Sequence, residues 1–128
     1  MKKLLFVLLA MIAISASSYA FSLKMYIYTN EGQVAQDYYS PGCSSFYYQL
    51  HIYRAADDDM PWRWLYSRVN ASYSNGTGID YVLDSTPNPG QHLYKYGWST
   101  YIPGAYISHL LAIVNASWGG YASAKVYW

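Results

Sequence analysis

Hydrophobic side chains recur at every second position in several short runs of this chain, and turn-forming residues separate the runs. Between Phe46 and Tyr53 the alternation is cleanest: Phe46, Tyr48, Leu50 and Ile52 face one way, and Tyr47, Gln49, His51 and Tyr53 the other. A period of two belongs to a strand with one covered face, because successive side chains of an extended backbone point to opposite sides. Leu23, Met25 and Ile27 alternate in the same manner with Lys24, Tyr26 and Tyr28, and near the end Ala122, Ala124 and Val126 alternate with Tyr121, Ser123, Lys125 and Tyr127. A chain patterned this way must build sheets.

Further strands follow from the same pattern. Val34–Tyr39 makes a short one, ended upstream by Asn30-Glu31-Gly32. Ile79, Tyr81 and Leu83 alternate, a Ser85-Thr86-Pro87-Asn88-Pro89-Gly90 break follows, and Tyr94, Tyr96 and Trp98 alternate again, which predicts two strands about a stiff turn. The turn pair Asn75-Gly76 predicts a hairpin between a strand over Trp62–Tyr73 and the strand at Ile79. Ala105–Val114 is almost continuously apolar; the β-branched Ile107, Ile113 and Val114 and the close turns predict a strand covered on both faces. Seven or eight short strands without a helix predict an all-β fold, an antiparallel two-sheet β-sandwich or jelly roll. The last strand, Tyr121, Ser123, Lys125 and Tyr127, is a candidate edge open to another subunit.

Residues 1–20 read as an export signal: a basic Lys2-Lys3 start, an apolar run from Leu4 to Ile14, and small residues at Ser18 and Ala20 for cleavage after Ala20. Retention of this segment as an anchor is the alternative, and only then is a membrane a partner. Residues 21–128 are expected to form a single β-sandwich domain, secreted or held at the extracellular surface. Over that stretch Lys24, Arg54, Arg63, Arg68, Lys95 and Lys125 nearly balance Glu31, Asp37, Asp57, Asp58, Asp59, Asp80 and Asp84. Without a clustered basic run, no nucleic-acid partner is expected. Cys43 is the only cysteine, so no disulfide can form within one chain. Stability must come from packing, glycans, metal or neighbouring subunits; Cys43 itself reads as a small buried residue or as one half of a bridge between chains.

Three stretches, Tyr81-Val82-Leu83-Asp84-Ser85-Thr86-Pro87, Tyr94-Lys95-Tyr96 and Val114-Asn115, resemble a pattern in the jelly-roll-like terminal domains of phage tail and fibre structural proteins. There a strand ending in Leu-Asp-Ser-Pro precedes a Tyr-x-hydrophobic strand and, later, a Val-Asn pair. The resemblance spans residues 80–115; Thr86 and Pro89 depart from the pattern. It implies a structural or attachment domain without catalytic residues.

Little in the chain carries reaction chemistry. His51, His92 and His109 have no metal-ligand spacing, Asp57-Asp58-Asp59 reads as a solvated turn rather than a calcium loop, and no Gly-x-Ser-x-Gly elbow occurs. No enzyme activity, cofactor or metal is expected. Sequons at Asn70, Asn75 and Asn115 are possible glycosylation sites. Seventeen tyrosines in a charge-poor chain shift attention to aromatic surfaces. Trp62, Trp64 and Tyr66, and the row of Tyr47 and Tyr53, are candidates for a binding or assembly face, unless they are core. Two functions fit: an exported structural subunit that self-assembles as a homo-oligomer or polymer in a filament, virion or surface layer through strand edges and aromatic contacts, or a secreted adhesin that binds glycans.

Overall fold

The computed structural model describes residues 21–128, and the expected export segment lies outside them. Eight strands follow one another: β1 (Leu23–Thr29), β2 (Gly32–Tyr39), β3 (Tyr47–Arg54), β4 (Leu65–Tyr73), β5 (Gly78–Ser85), β6 (His92–Trp98), β7 (Ile107–Ala116) and β8 (Gly120–Tyr127). They form two four-stranded antiparallel sheets, a front sheet in the order β1-β8-β3-β6 and a back sheet in the order β2-β7-β4-β5. The chain is therefore one long hairpin, pairing β4 with β5, β3 with β6, β2 with β7 and β1 with β8, rolled up so that successive pairs fall in alternate sheets. This is the strand order of a jelly roll, and it bears out the expected β-sandwich. No helix among the described residues is long and apolar enough to cross a membrane.

The two inner faces meet in a single core. Phe46, Leu50 and Ile52 from the β3 segment and Val126 from β8 pack against Leu65 and Val69 of β4 and Ile107, Leu110 and Val114 of β7, all fully buried. Ser67, buried among them, donates its hydroxyl to the Ser123 carbonyl at 2.7 Å, so this polar group costs no unpaired donor.

Four expectations need correction. First, β8 is not an edge. Because the rolled hairpin sets the first and last strands side by side and then lays β3 on the other flank, β8 pairs with β1 and β3 at once. The two strands expected about a stiff turn over Ile79–Trp98 are present as β5 and β6; β5 belongs to the back sheet and β6 to the front, and the proline-rich break carries the chain across. Second, Trp62 and Trp64 precede β4, which begins at Leu65 and turns Leu65, Val69, Ala71 and Tyr73 inward. Third, β7 is buried on its core face alone, while Leu111 and Ile113 on its other face are half-covered.

The fourth concerns the acidic run. Asp57 and Asp59 are exposed, but Asp58 turns inward and is buried. Its carboxylate accepts from Arg54 Nε at 3.1 Å and from Arg63 Nε and Nη2, both at 2.8 Å. Arg54 also donates to the carbonyls of Pro87, at 3.1 Å, and Met60. The Arg63 guanidinium beside Asp58 holds its carboxyl well below the usual carboxylate range; burial opposes this, while the Met60 N–H and Arg54 reinforce it. One local alternation of charges thus ties two loops to the end of β3.

Candidate functional site

Strand register assembles the outer face of the front sheet. Tyr127, Tyr47 and Trp98 lie abreast at one end; Tyr26, Lys125, Gln49 and Tyr96 form the next row; Tyr28, Ser123, His51 and Tyr94 the third; Tyr121, Tyr53 and His92 the last. Cross-strand neighbours on one face sit close enough for their rings to touch. His51 stacks on Tyr94 with centroids 4.3 Å apart and planes 5° apart, and Tyr53 on His92 at 4.1 Å and 21°. Tyr26 stacks on Tyr28 at 5.6 Å, its hydroxyl 3.1 Å from that of Tyr121, and the Lys125 ammonium lies 5.1 Å from the Tyr26 ring centre. At the far end Trp98 meets Tyr47 edge-on at 5.4 Å.

The rings remain open to solvent: Tyr94 is 61 % exposed, Tyr96 67 % and Trp98 55 %. Between them lies a hollow of about 390 Å³, lined by Tyr94 and Tyr96 of β6, Tyr47, Gln49 and His51 of β3, and Tyr121, Ser123 and Lys125 of β8. A flat apolar floor with a few donors at its margin is the composition of a ligand site. Charge adds a second feature. None of β1, β3, β6 and β8 carries an Asp or Glu, whereas the back sheet holds Asp37 on β2 and Asp80 and Asp84 on β5.

His51 Nε2 and His92 Nδ1 are 2.9 Å apart, so one imidazole donates to the other. Burial, then the neighbouring His92 and Lys125, push the His51 pKa below its ordinary 6.5. The unfolded chain then takes up a proton that the folded chain resists. Stability from this group is complete above pH 6.5 and is lost as pH falls through the lower folded value. An NMR titration should find the His51 ring titrating below 6.5, and His51→Gln should reduce the acid sensitivity of unfolding.

The residues singled out in the sequence fall in three places. Tyr47 and Tyr53 belong to the front face, together with Tyr121, Lys125 and Tyr127, which contribute side chains there rather than an open edge. Trp62, Trp64 and Tyr66 lie on the opposite side. There Trp64 stacks on Tyr66 at 5.5 Å and donates to Asp84, and Trp62 and Trp64 line a second hollow of about 390 Å³ with Asn115 and Ser117. Of the sequons, Asn75 sits exposed in the β4–β5 turn, where its carbonyl accepts from Thr77 N at 3.0 Å; the Asn70 amide donates to Asp80 at 2.8 Å; Asn115 is half-buried on β7. Cys43 packs against the core, and burial raises its thiol pKa, which keeps it protonated and poorly reactive.

Tyr26, Tyr28, Gln49, His51, His92, Tyr94, Tyr96 and Trp98 join this face without having been singled out as site residues. Their alternation was visible, but tyrosine suits a core and a wet surface alike, so pattern alone did not say which face was outside. Among the described residues no group of three His, Cys, Asp or Glu side chains is placed to hold a metal ion.

No protein-family model matches the chain, and no curated protein matches it. Among solved structures the chain is similar to the enzymatically active domain of tailspike protein 4 of bacteriophage CBA120, at 11% identity and a TM-score of 0.40. The match covers 84% of this chain and 19% of the tailspike chain, so this chain spans about a fifth of that protein's length.

Proposed function

We propose that this protein is a non-enzymatic binding module that takes an extended glycan across the outer face of its front sheet. The observation that carries the reading is a contiguous field of solvent-open rings on a sheet whose four strands hold no carboxylate. Sugar rings present flat C–H faces that stack on tyrosine and tryptophan, and Gln49, His51, Ser123 and Lys125 around the hollow supply hydrogen bonds to hydroxyls. Glycoside hydrolysis, by contrast, relies in most enzymes on two carboxyl groups about the scissile bond, and this face offers none. Lys125 favours neutral or acidic glycans over basic ones. The module is proposed to act outside the cell, in keeping with the export segment read at residues 1–20.

Titration with a panel of neutral and acidic polysaccharides, followed by tryptophan fluorescence, tests this directly because Trp98 lies on the face. Binding should change the emission, and Tyr94→Ala should weaken it by about tenfold, the loss of one stacked ring. Arg68→Ala, on the outer back sheet and away from the β2 edge, should leave affinity unchanged. No response to any glycan, or equal effects of the two substitutions, overturns the reading.

The alternative, a structural subunit in a larger assembly, is favoured by a different observation: the sandwich has open strand edges, although β8 is not one of them.

A further inference from the structure

Four strands border the two sheets, and three of them carry features that discourage pairing with another chain. β1 has an irregular register between Leu23 and Met25. β6 carries Lys95, which sits at an inward position opposite Leu50 and donates to the Val82 carbonyl of β5 at 3.3 Å. That bond ties the β5 and β6 edges to each other, and β5 also bears Asp80 and Asp84. Bulges, inward-pointing lysines and edge charges are the means by which sheets avoid adding strands.

β2 has neither a bulge nor an inward-pointing lysine. It runs from Gly32 to Tyr39 in unbroken register with β7, holds no proline or lysine, and carries a single charge, Asp37, paired with His109 at 2.6 Å. Among the described residues nothing pairs with its other side. Ser40 N donates to Ser108 O at 2.9 Å, one step beyond the Tyr39–His109 pair. Antiparallel ladders alternate, so Gly32, Val34, Gln36 and Tyr38 direct their backbone groups to β7, and Gln33, Ala35, Asp37 and Tyr39 direct theirs outward.

We infer that β2 pairs antiparallel with β2 of a second copy of this chain, about a two-fold axis through Gln36, to make one continuous back sheet. The strand is complementary to itself in that register. Gln33 faces Tyr39 of the other copy, Ala35 faces Asp37, and Val34 faces Tyr38. Outward-directed backbone groups thereby meet one another, the two Asp37 carboxylates each oppose an alanine instead of a like charge, and Val34, 38 % exposed in the single chain, gains an aromatic neighbour. A two-fold axis normal to the back sheet leaves both front sheets on the same side. Two aromatic faces then look in one direction, an arrangement that raises avidity for a repeating polymer; this consequence alone rests on the glycan-binding reading.

Ala35→Pro separates the dimer from the fold, since its N–H points away from β7 and proline is tolerated where a strand's N–H faces solvent. The protein expressed from its full coding sequence should have the mass of two chains by light scattering, and A35P the mass of one, with an unchanged far-UV spectrum. A monomeric parent at every concentration, or a dimeric A35P, overturns the inference. Should A35P fail to fold, deuterium exchange on the parent decides. The Gln33, Ala35, Asp37 and Tyr39 amides should slow as protein concentration rises, and concentration-independent exchange overturns the inference. Glycan titration of the monomeric variant reads the front face separately, so either proposal can fail alone.

Discussion

Arg54→Ala is expected to destabilise the fold by about 3–5 kcal/mol, the usual cost of removing one partner from a buried ion pair. Its side chain is 5% exposed and bonds Asp58 together with the Pro87 and Met60 carbonyls. Alanine leaves those two carbonyls without this donor and leaves Asp58 to Arg63 and the Met60 N–H. It also removes the side-chain tie between the β3–β4 segment and the β5–β6 segment, two of the connections at one end of the sandwich. Thermal unfolding against an exposed control measures the effect. Arg68 and Asp80 lie 2.7 Å apart on the outer back sheet with side chains 30% and 46% exposed, and Arg68→Ala should cost no more than about 1 kcal/mol because water screens such a pair. Equal losses for the two substitutions would show that the Arg54 cluster contributes no more than a surface pair.

Phe46→Ala should cost a similar amount, about 3–5 kcal/mol, by a different route. The ring is fully buried just ahead of β3 and meets Tyr81 edge-on at 6.0 Å and Tyr48 at 6.5 Å, bridging the two sheets. Truncation removes its transfer free energy and leaves a cavity that the sheets cannot close, because the backbone around it is pinned, with Phe46 N donating to Ser99 Oγ at 2.8 Å. The neighbouring Tyr47→Ala on the outer face should be far milder. Denaturant unfolding of both variants therefore tests the two-residue period directly, and a Tyr47 loss as large as that of Phe46 would contradict the burial assigned to this strand. Against a total stability of 5–15 kcal/mol for a typical domain, either large loss leaves a substantial unfolded population.

Both substitutions bear on how much of this molecule was readable in advance. Phe46 was: its run of alternating residues places it with Tyr48, Leu50 and Ile52 whatever the rest of the chain does. Arg54 and Asp58 were not, since a run of three aspartates beside a proline has the composition of a solvated turn. Only the folded end of the sandwich sets two arginines around the middle one.

The same division holds for the proposed binding face. Alternation is a property of one strand, imposed by the geometry of an extended backbone, and so the strands, their turns and the sets of side chains sharing a face followed from the residues alone. Which strand lies beside which is decided by closure of the whole hairpin, where many pairings satisfy the same local pattern and the burial of one common core selects among them. That selection brings His51 to His92 and Tyr26 to Tyr121, turns Tyr94, Tyr96 and Trp98 outward, moves β8 from the border to the interior, and leaves β2 open. Local alternation is enough to specify a sandwich of strands rich in two-sided aromatic residues; which of those aromatics became core and which became surface follows from the folded arrangement, because a tyrosine is stable in either place and only its neighbours settle the matter.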